Sequence, residues 1–354
     1  MPFYQSECGQ DLRVRRILFG MSRILGLDFG SSYSLLAAVN EEGMPKAVPD
    51  ISRSDRTPLL PSIVCLKSPE APVIGWKALE LQRVHPCETI TAIKQRLLAE
   101  NTPEDEGVSA GGRQWKAVDL AGMILRELKE RAAEVLGEEI GGAVCSVPED
   151  TAESYRQRLG EAAVQAGLPV LGWMEETQAA ALAFSAVVAM TGTVALYSMG
   201  GGHFRFSVFR LEERKPPQRL ASRGNREWCG DTIDRRIRGK ILEELGQQYG
   251  EEVTQDPSIL AEVWQQSERA KCAVSHRGSY DFNLADEARG VKFSRAFSRY
   301  EIETLIRDEA ERSVEICGHV LKEAGLEASG ITALLYIGGS TRLPVVHELV
   351  DKYS

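Results

Sequence analysis

An internal echo constrains the fold of this chain more than any other feature. Residues 24–39 read ILGLDFGSSYSLLAAV and residues 194–208 read VALYSMGGGHFRFSV: each is an apolar strand, a glycine-bearing turn and a second apolar strand. Two hairpins of the same build imply two similar lobes, each opening with a β-hairpin. In such a hairpin the tight turn leaves backbone N–H groups pointing outward, and glycine lets a phosphate approach them closely. Two of them suit a two-jawed phosphate clamp. A dinucleotide-binding fold would place G-x-G-x-x-G between a strand and a helix, and a P-loop would require G-x-x-x-x-G-K-[ST]. Here strands follow both turns and neither pattern fits.

The rest of the chain alternates. Strand-like runs fall at 24–28, 34–40, 62–66, 143–147, 194–199, 204–211 and 334–337, and helical patterns at 89–99, 117–136, 151–166, 175–188, 232–249, 257–274 and 298–324. Such alternation predicts a layered α/β architecture. A length of 354 residues suits two lobes that each bury a core. The expected division is an N-terminal extension over 1–22 that fits no element, a first lobe over 23–190 and a second over 191–354. With 43% hydrophobic and 26% charged residues the chain reads as globular rather than disordered.

A net charge of -9 and the lack of a basic stripe argue against nucleic acid or an acidic membrane as partner. No apolar run reaches the roughly 18 residues of a membrane span, and the start lacks the pattern of a secretory signal. A cytoplasmic location is the expectation. The seven cysteines are odd in number and never spaced C-x-x-C, so neither zinc nor a disulfide framework is expected.

Five features in order resemble the 70-kDa heat-shock chaperone family, over almost the whole chain from Ile24 to Leu349. LDFGSSYS (27–34) is similar to that family's first phosphate loop. Val147-Pro148, a helix and then AGLPV (166–170) resemble the strand and helix leading to its connecting segment. ETQAAALAF (176–184) resembles the connecting segment itself, with Thr177 and Gln178 where the family has proline and threonine. MGGGHF (199–204) resembles the second phosphate loop. SERAK (267–271) and IGGSTRLP (337–344) resemble the two halves of an adenosine clamp. The resemblance implies a two-lobed actin-like ATPase fold of the ribonuclease H-like kind, with a nucleotide cleft between the lobes. It implies ATP or ADP and Mg²⁺ as ligands. The partners it implies are a J-domain co-chaperone, a nucleotide-exchange factor and a peptide-binding domain that is not present in this chain.

Asp28 ends the first strand beside its turn, where a carboxylate can hold a hydrated Mg²⁺ through water. Gly30, Ser31 and Ser32 offer N–H and hydroxyl donors to phosphate oxygens. By resemblance, Lys94 in AIKQR (92–96) reaches the γ-phosphate and its attacking water, and Glu176 is a carboxylate near metal and water. Lys94, Glu176 and Asp28 are thus the expected catalytic set. By the same resemblance, Gly201 and Gly202 are expected to carry phosphate contacts by backbone N–H. Glu268, Lys271 and Ser275 stand three and four apart, hence on one helix face, and the resemblance lays that face over ribose and adenine. It implies that Gly339 and Arg342 pack on the other side, where a planar guanidinium can stack on the base. On the residues alone, Asp28 can also be a turn-stabilising aspartate, Lys94 a surface lysine, and the helix face an ordinary solvated one.

The departures carry as much information. Where the family's second loop begins with aspartate and ends with threonine and a second aspartate, this chain has Ser198, His203 and Arg205. Cys272 replaces an arginine that stacks on adenine. The closing strand-helix element of the domain is expected to be missing after Ser354. The expected function is the ATP-binding domain of a 70-kDa heat-shock-type chaperone, with weak or impaired hydrolysis coupled to lobe closure. The competing reading is a catalytically inactive pseudo-ATPase that senses nucleotide or acts as a scaffold. A sugar kinase of the same superfold is disfavoured by the chaperone-like SERAK and GGSTRLP runs.

Overall fold

The computed structural model describes residues 22–99, 107–188 and 190–353. The extension expected over 1–22 lies, except for Ser22, outside the described residues. The chain forms two compact units. One comprises the described residues up to Leu81 and Cys87–Ala179, the other Gln82–Pro86 and the described residues from Ala180 onward.

In the first unit the chain runs β1 (Arg23–Asp28), β2 (Tyr33–Val39), β3 (Pro45–Ala47), β4 (Leu60–Pro61), β5 (Val64–Cys65), β6 (Val73–Ile74), α1 (Trp76–Leu81), β7 (Thr89–Ile90), α2 (Ile93–Leu98), β8 (Val108–Ala110), β9 (Arg113–Trp115), α3 (Ala117–Leu136), β10 (Ile140–Val147), α4 (Glu153–Gln165) and β11 (Val170–Glu175). The main sheet has the order β11-β10-β1-β2-β3, with β4 also on β2. β1 and β2 are the antiparallel hairpin read from the sequence, and β10 runs parallel to both β1 and β11. β1 alternates as its pattern dictates, with Leu25 and Leu27 buried and Ile24 exposed. In α3 the buried positions include Val118, Ala121, Ile124, Leu125, Leu128 and Ala132, one face of a helix packed on the sheet. Gly137 ends α3 at φ 62, a left-handed cap that glycine adopts without strain.

The second unit follows α5 (Glu176–Val188) with β12 (Gly192–Met199), β13 (Phe204–Leu211), β14 (Gln218–Asn225), α6 (Gly230–Tyr249), α7 (Glu251–Gln255), α8 (Pro257–His276), β15 (Ser279–Asp286), β16 (Val291–Ser298), α9 (Arg299–Glu323), β17 (Ala333–Ile337) and α10 (Pro344–Tyr353). The division between units falls inside α5. The sheet has the order β14-β13-β12-β17, with β12 antiparallel to β13 and parallel to β17. The echo therefore extends beyond the turns: in each unit the opening strand has its hairpin partner on one side and a later parallel strand on the other. β12 is buried on both faces. Ala195, Tyr197 and Met199 enter one core, while Val194 and Leu196 enter a second. Such a strand reads as a near-continuous apolar run.

The structure corrects several expected elements. The helix expected over 89–99 is a two-residue strand, β7, followed by the short helix α2. Thr89 and Ile90 pair with β5, and Ala92 at φ 57 breaks the backbone before the helix starts. Of the strand expected over 62–66 only Val64–Cys65 forms, as β5, and β4 lies before it at Leu60–Pro61. β11, β14, β15 and β16 were not expected from the periodicity. α6 starts two residues earlier than expected, at Gly230.

Candidate functional site

In the first unit, β1 delivers Asp28 to the sheet end in register with Ser146 of β10. The Ser146 hydroxyl donates to Asp28 Oδ1 at 3.2 Å, and the aspartate itself is exposed. The following turn is pinned from below. Gly30 N–H donates to Ser34 Oγ at 3.1 Å, Ser34 Oγ lies 2.9 Å from Ser62 Oγ, and Ser62 Oγ donates to the Gly30 carbonyl at 2.9 Å. A Cβ on Gly30 would stand 2.0 Å from the Tyr33 carbonyl oxygen, so only glycine fits that position. Ser31 and Ser32 lie on the open part of this turn and are half-buried.

Lys94 comes from the first turn of α2 and is 3% exposed. Its Nζ donates to Glu176 Oε1 at 2.8 Å. It is therefore a buried lysine with a specific partner, and the alternative of a surface lysine is removed. Burial alone would lower the Lys94 pKa; the charge of Glu176, helped by Tyr155 and Asp28, outweighs it and holds the ammonium above its ordinary range. Asp28, Lys94 and Glu176, drawn from β1, α2 and α5, thus form one electrostatic group. Tyr155 of α4, 1% exposed, adds its hydroxyl, whose pKa burial pushes up. Tyr155 was not read from the sequence, where it looks like a core residue of an amphipathic helix.

In the second unit the turn after β12 is held by the start of α6. Gly230 N–H donates to the Gly200 carbonyl at 2.9 Å, and Asp231 N–H to the Gly201 carbonyl at 2.8 Å. Gly201 and Gly202 are half-buried on this turn. Ser340 Oγ donates to the Gly200 carbonyl at 3.4 Å, which ties the IGGSTRLP run to the same turn. A Cβ on Gly230 would stand 2.7 Å from Ser340 Oγ, 3.0 Å from Lys271 Nζ and 3.2 Å from Gly201 Cα. Four segments converge there, and glycine is the residue that permits it. At Gly200 and Gly339 a Cβ would meet nothing within 4 Å, so both glycines border open space.

On α8, Glu268, Lys271 and Ser275 share a face as their spacing requires. Lys271 Nζ donates to Asp234 Oδ2 of α6 at 2.5 Å and to the Gly230 carbonyl at 3.3 Å. Burial would lower the Lys271 pKa, and Asp234 with Glu268 raises it above the ordinary value. On Asp234 burial favours the neutral acid while Lys271 favours the carboxylate, so the partners pull in opposite directions. The short contact and the second acceptor at Gly230 favour the charged pair. Burial raises the pKa of Glu268 against the opposing charge of Lys271, and Asp234 and Asp231 add to the rise. Ser275 Oγ donates back to the Lys271 carbonyl at 3.1 Å. Arg342 is exposed, and its charge reaches the thiol of Cys272.

Ser198 and Arg205 are direct partners in the β12–β13 ladder. Ser198 is 6% exposed, and the Arg205 guanidinium donates to Ser222 Oγ of β14 at 3.2 Å. Gly230, Asp234 and Ser340 are the polar and backbone groups that reading the sequence missed. Gly230 and Asp234 stand one helical turn apart, so a Gly-x-x-x-Asp start to α6 was the available signal. Among the described residues, no group of three His, Cys, Asp or Glu could hold a metal ion by itself. Nor is any helix among them long and apolar enough to cross a membrane.

A family model described as Hsp70 protein matches residues 24–354. The chain is also similar to the chaperone protein HscA homolog of Pseudoalteromonas atlantica, 30% identical over 346 residues that make up 93% of this chain and 54% of that protein. It spans about half the length of that curated relative.

Proposed function

The chain belongs to the Hsp70 protein family, and we propose that it works there as the part that binds ATP or ADP with Mg²⁺. The observation that carries this reading is the buried Lys94–Glu176 pair beside Asp28, three charged groups brought together from distant segments. A pair needed only for stability would be replaceable by apolar side chains, and buried charges are otherwise costly. In the second unit, Gly201, Gly202, Glu268, Lys271, Ser275, Gly339 and Arg342 lie on three segments that meet around Gly230, and they are assigned here to phosphate, ribose and adenine. Open space at Gly200 and Gly339 supports this assignment.

The donor set fits magnesium. Mg²⁺ usually keeps several waters and takes one or two carboxylates plus phosphate oxygens, and Asp28 offers an exposed carboxylate oriented by Ser146. When bound, the ion would neutralise phosphate charge. The chain's own residues orient the carboxylate, hold the ammonium of Lys94 protonated and present backbone N–H groups to the phosphates. Work with a J-domain co-chaperone, an exchange factor and a peptide-binding domain belongs to the same proposal on the strength of the family.

A second reading, a pseudo-ATPase, is favoured by one specific observation. Ser198 and Arg205 face each other at the positions where the family resemblance calls for carboxylates. Titration calorimetry with Mg-ATP and Mg-ADP, followed by single-turnover hydrolysis, separates the readings. Binding with hydrolysis supports the ATPase, binding alone supports the nucleotide-sensing pseudo-enzyme, and a folded protein that binds neither nucleotide overturns both and leaves only a scaffold.

A further inference from the structure

Glu149 follows Val147-Pro148 just beyond the end of β10 and is 5% exposed. Thr177 is the second residue of α5 and is 1% exposed. Both donors of Thr177 go to the same carboxylate oxygen: its N–H donates to Glu149 Oε1 at 3.0 Å, and its hydroxyl donates to that atom as well. The first N–H groups of a helix have no partner inside the helix. A buried one left without an acceptor is costly. The family resemblance places proline at position 177, and proline has no N–H to satisfy. Threonine at that place brings two donors into a buried site, and Glu149 accepts from both.

The contact sits where it matters for the charged group described above. The β10–β11 ladder ends with Val147 opposite Glu175, so the Glu149–Thr177 bonds carry the tie between these segments one step past the sheet. Glu176 lies between the last ladder residue, Glu175, and Thr177, and its carboxylate receives Lys94 Nζ at 2.8 Å. Lys94 comes from a different helix and cannot by itself fix the backbone that presents Glu176.

We propose that Glu149 is a positioning residue that caps Thr177 and so holds the first turn of α5 where Glu176 meets Lys94. The consequence for nucleotide turnover rests on the function proposed above, whereas the effect on Lys94 does not. The groups that face Lys94 are Glu176, Tyr155, Asp28 and Cys145. Glu176 is the largest of those that keep the ammonium charged against its burial. If Glu176 swings away, burial prevails and the Lys94 pKa falls.

The test compares wild type, Glu149→Ala and Glu149→Gln. Glutamine keeps an acceptor for the Thr177 amide and removes only the charge. The first readout is the pH profile of acetic anhydride labelling of Lys94, without nucleotide, referenced to exposed Lys77 and read by mass spectrometry. At fixed pH the labelling should rise about 10-fold for each unit by which the Lys94 pKa falls. Glu149→Ala should show that rise, and Glu149→Gln should track wild type. The second readout is single-turnover ATP hydrolysis with ADP affinity: Glu149→Ala should slow turnover about 10-fold or more and leave ADP affinity within about twofold, since no unit-two residue is touched. A Glu149→Ala protein that melts lower but labels at Lys94 like wild type overturns the proposal, because the role is then structural only. So does a Glu149→Gln protein that behaves like Glu149→Ala. A wild type that binds no nucleotide sinks the proposed function while the labelling profile still decides the role of Glu149.

Discussion

At the scale of single residues, the Lys94–Glu176 pair sets a clear expectation. Removing one member of a buried pair leaves the other without compensation, which typically costs 3–5 kcal/mol. Glu176 is 20% exposed and can recruit water, so Lys94→Met should cost about 3 kcal/mol, the low end of that range. Urea unfolding measures it, and Lys94→Met with Glu176→Gln should recover part of the loss, since contacting residues are not additive. A double variant as unstable as the sum of the singles would show that the pair is not coupled. The register of β12 and β13 leads to a second expectation. Ser198→Asp would place a carboxylate directly opposite Arg205, where the two side chains pair. The single change should therefore do little for ATP hydrolysis, whereas Ser198→Asp with Arg205→Asp frees both carboxylates. General acid–base help of this kind is worth about 10²–10⁴ in rate, so single-turnover hydrolysis should rise by at least about 10-fold in the double variant only. Equal rates in the single and the double would refute the quenching by Arg205.

At the scale of elements, α8 carries the face with Glu268, Lys271 and Ser275, and its start is capped by Asp256. That carboxylate accepts from Ser258 N–H at 2.9 Å and Ile259 N–H at 3.2 Å, with Pro257 in the first turn. Asp256→Ala should cost about 1 kcal/mol. Burial tends to raise the Asp256 pKa, but the N–H groups of Ile259 and Ser258, with Arg289, hold it below its ordinary 3.8. A depressed folded-state pKa means that the contribution is full above the ordinary value and is lost as pH falls through the folded-state value. The Asp256→Ala deficit in thermal unfolding should hence be constant near neutrality and shrink below about pH 4. A deficit that persists unchanged at pH 2 would show that the cap does not act through its charge.

The same elements show what the sequence could and could not disclose. α3 and β13 were legible to the residue, because twenty residues of 3.6 periodicity and a run of alternating aromatics admit one reading. α2 was not: it has six residues, and the apolar pattern of 89–99 hides both β7 and the left-handed Ala92. β15 and β16 carry the alternation of half-buried strands and were there to be read, but the connection between them lacks an Asn-Gly signal that would have marked a hairpin. Candidates for the site could be picked out where glycine and charge stand in short motifs, as at Gly30, Lys94 and Gly339. The site was opaque where a role depends on a partner distant in sequence. Nothing about Glu149 or Asp234 announces Thr177 or Lys271.

At the scale of the whole molecule, nucleotide that binds only the folded state must stabilise it. At about 100 Kd of Mg-ATP the gain is about 2.7 kcal/mol. If the units melt separately, the transition of each unit that contributes to nucleotide binding should move. Differential scanning calorimetry resolves them. A shift confined to one transition would restrict binding to one unit.

The parallel placement of β17 against β12 bears on how the second unit is built in time. β12, β13 and β14 are neighbours along the chain and can zip locally, whereas β12 waits for a strand that follows α6, α8, the β15–β16 hairpin and α9. Closing so long a loop is slow, since its entropy is lost before the contact is gained. Until β17 arrives, the apolar strand β12 is an open edge, the kind of template on which other chains add. Pulse-labelled hydrogen exchange during refolding should find the amides shared by β13 and β14 protected before those between β12 and β17. Protection that appears in both ladders at once would instead mean that this sheet forms in a single step. If the ladders form in that order, the newly made polypeptide passes through an interval in which it needs the same shielding from aggregation that chaperones give to others.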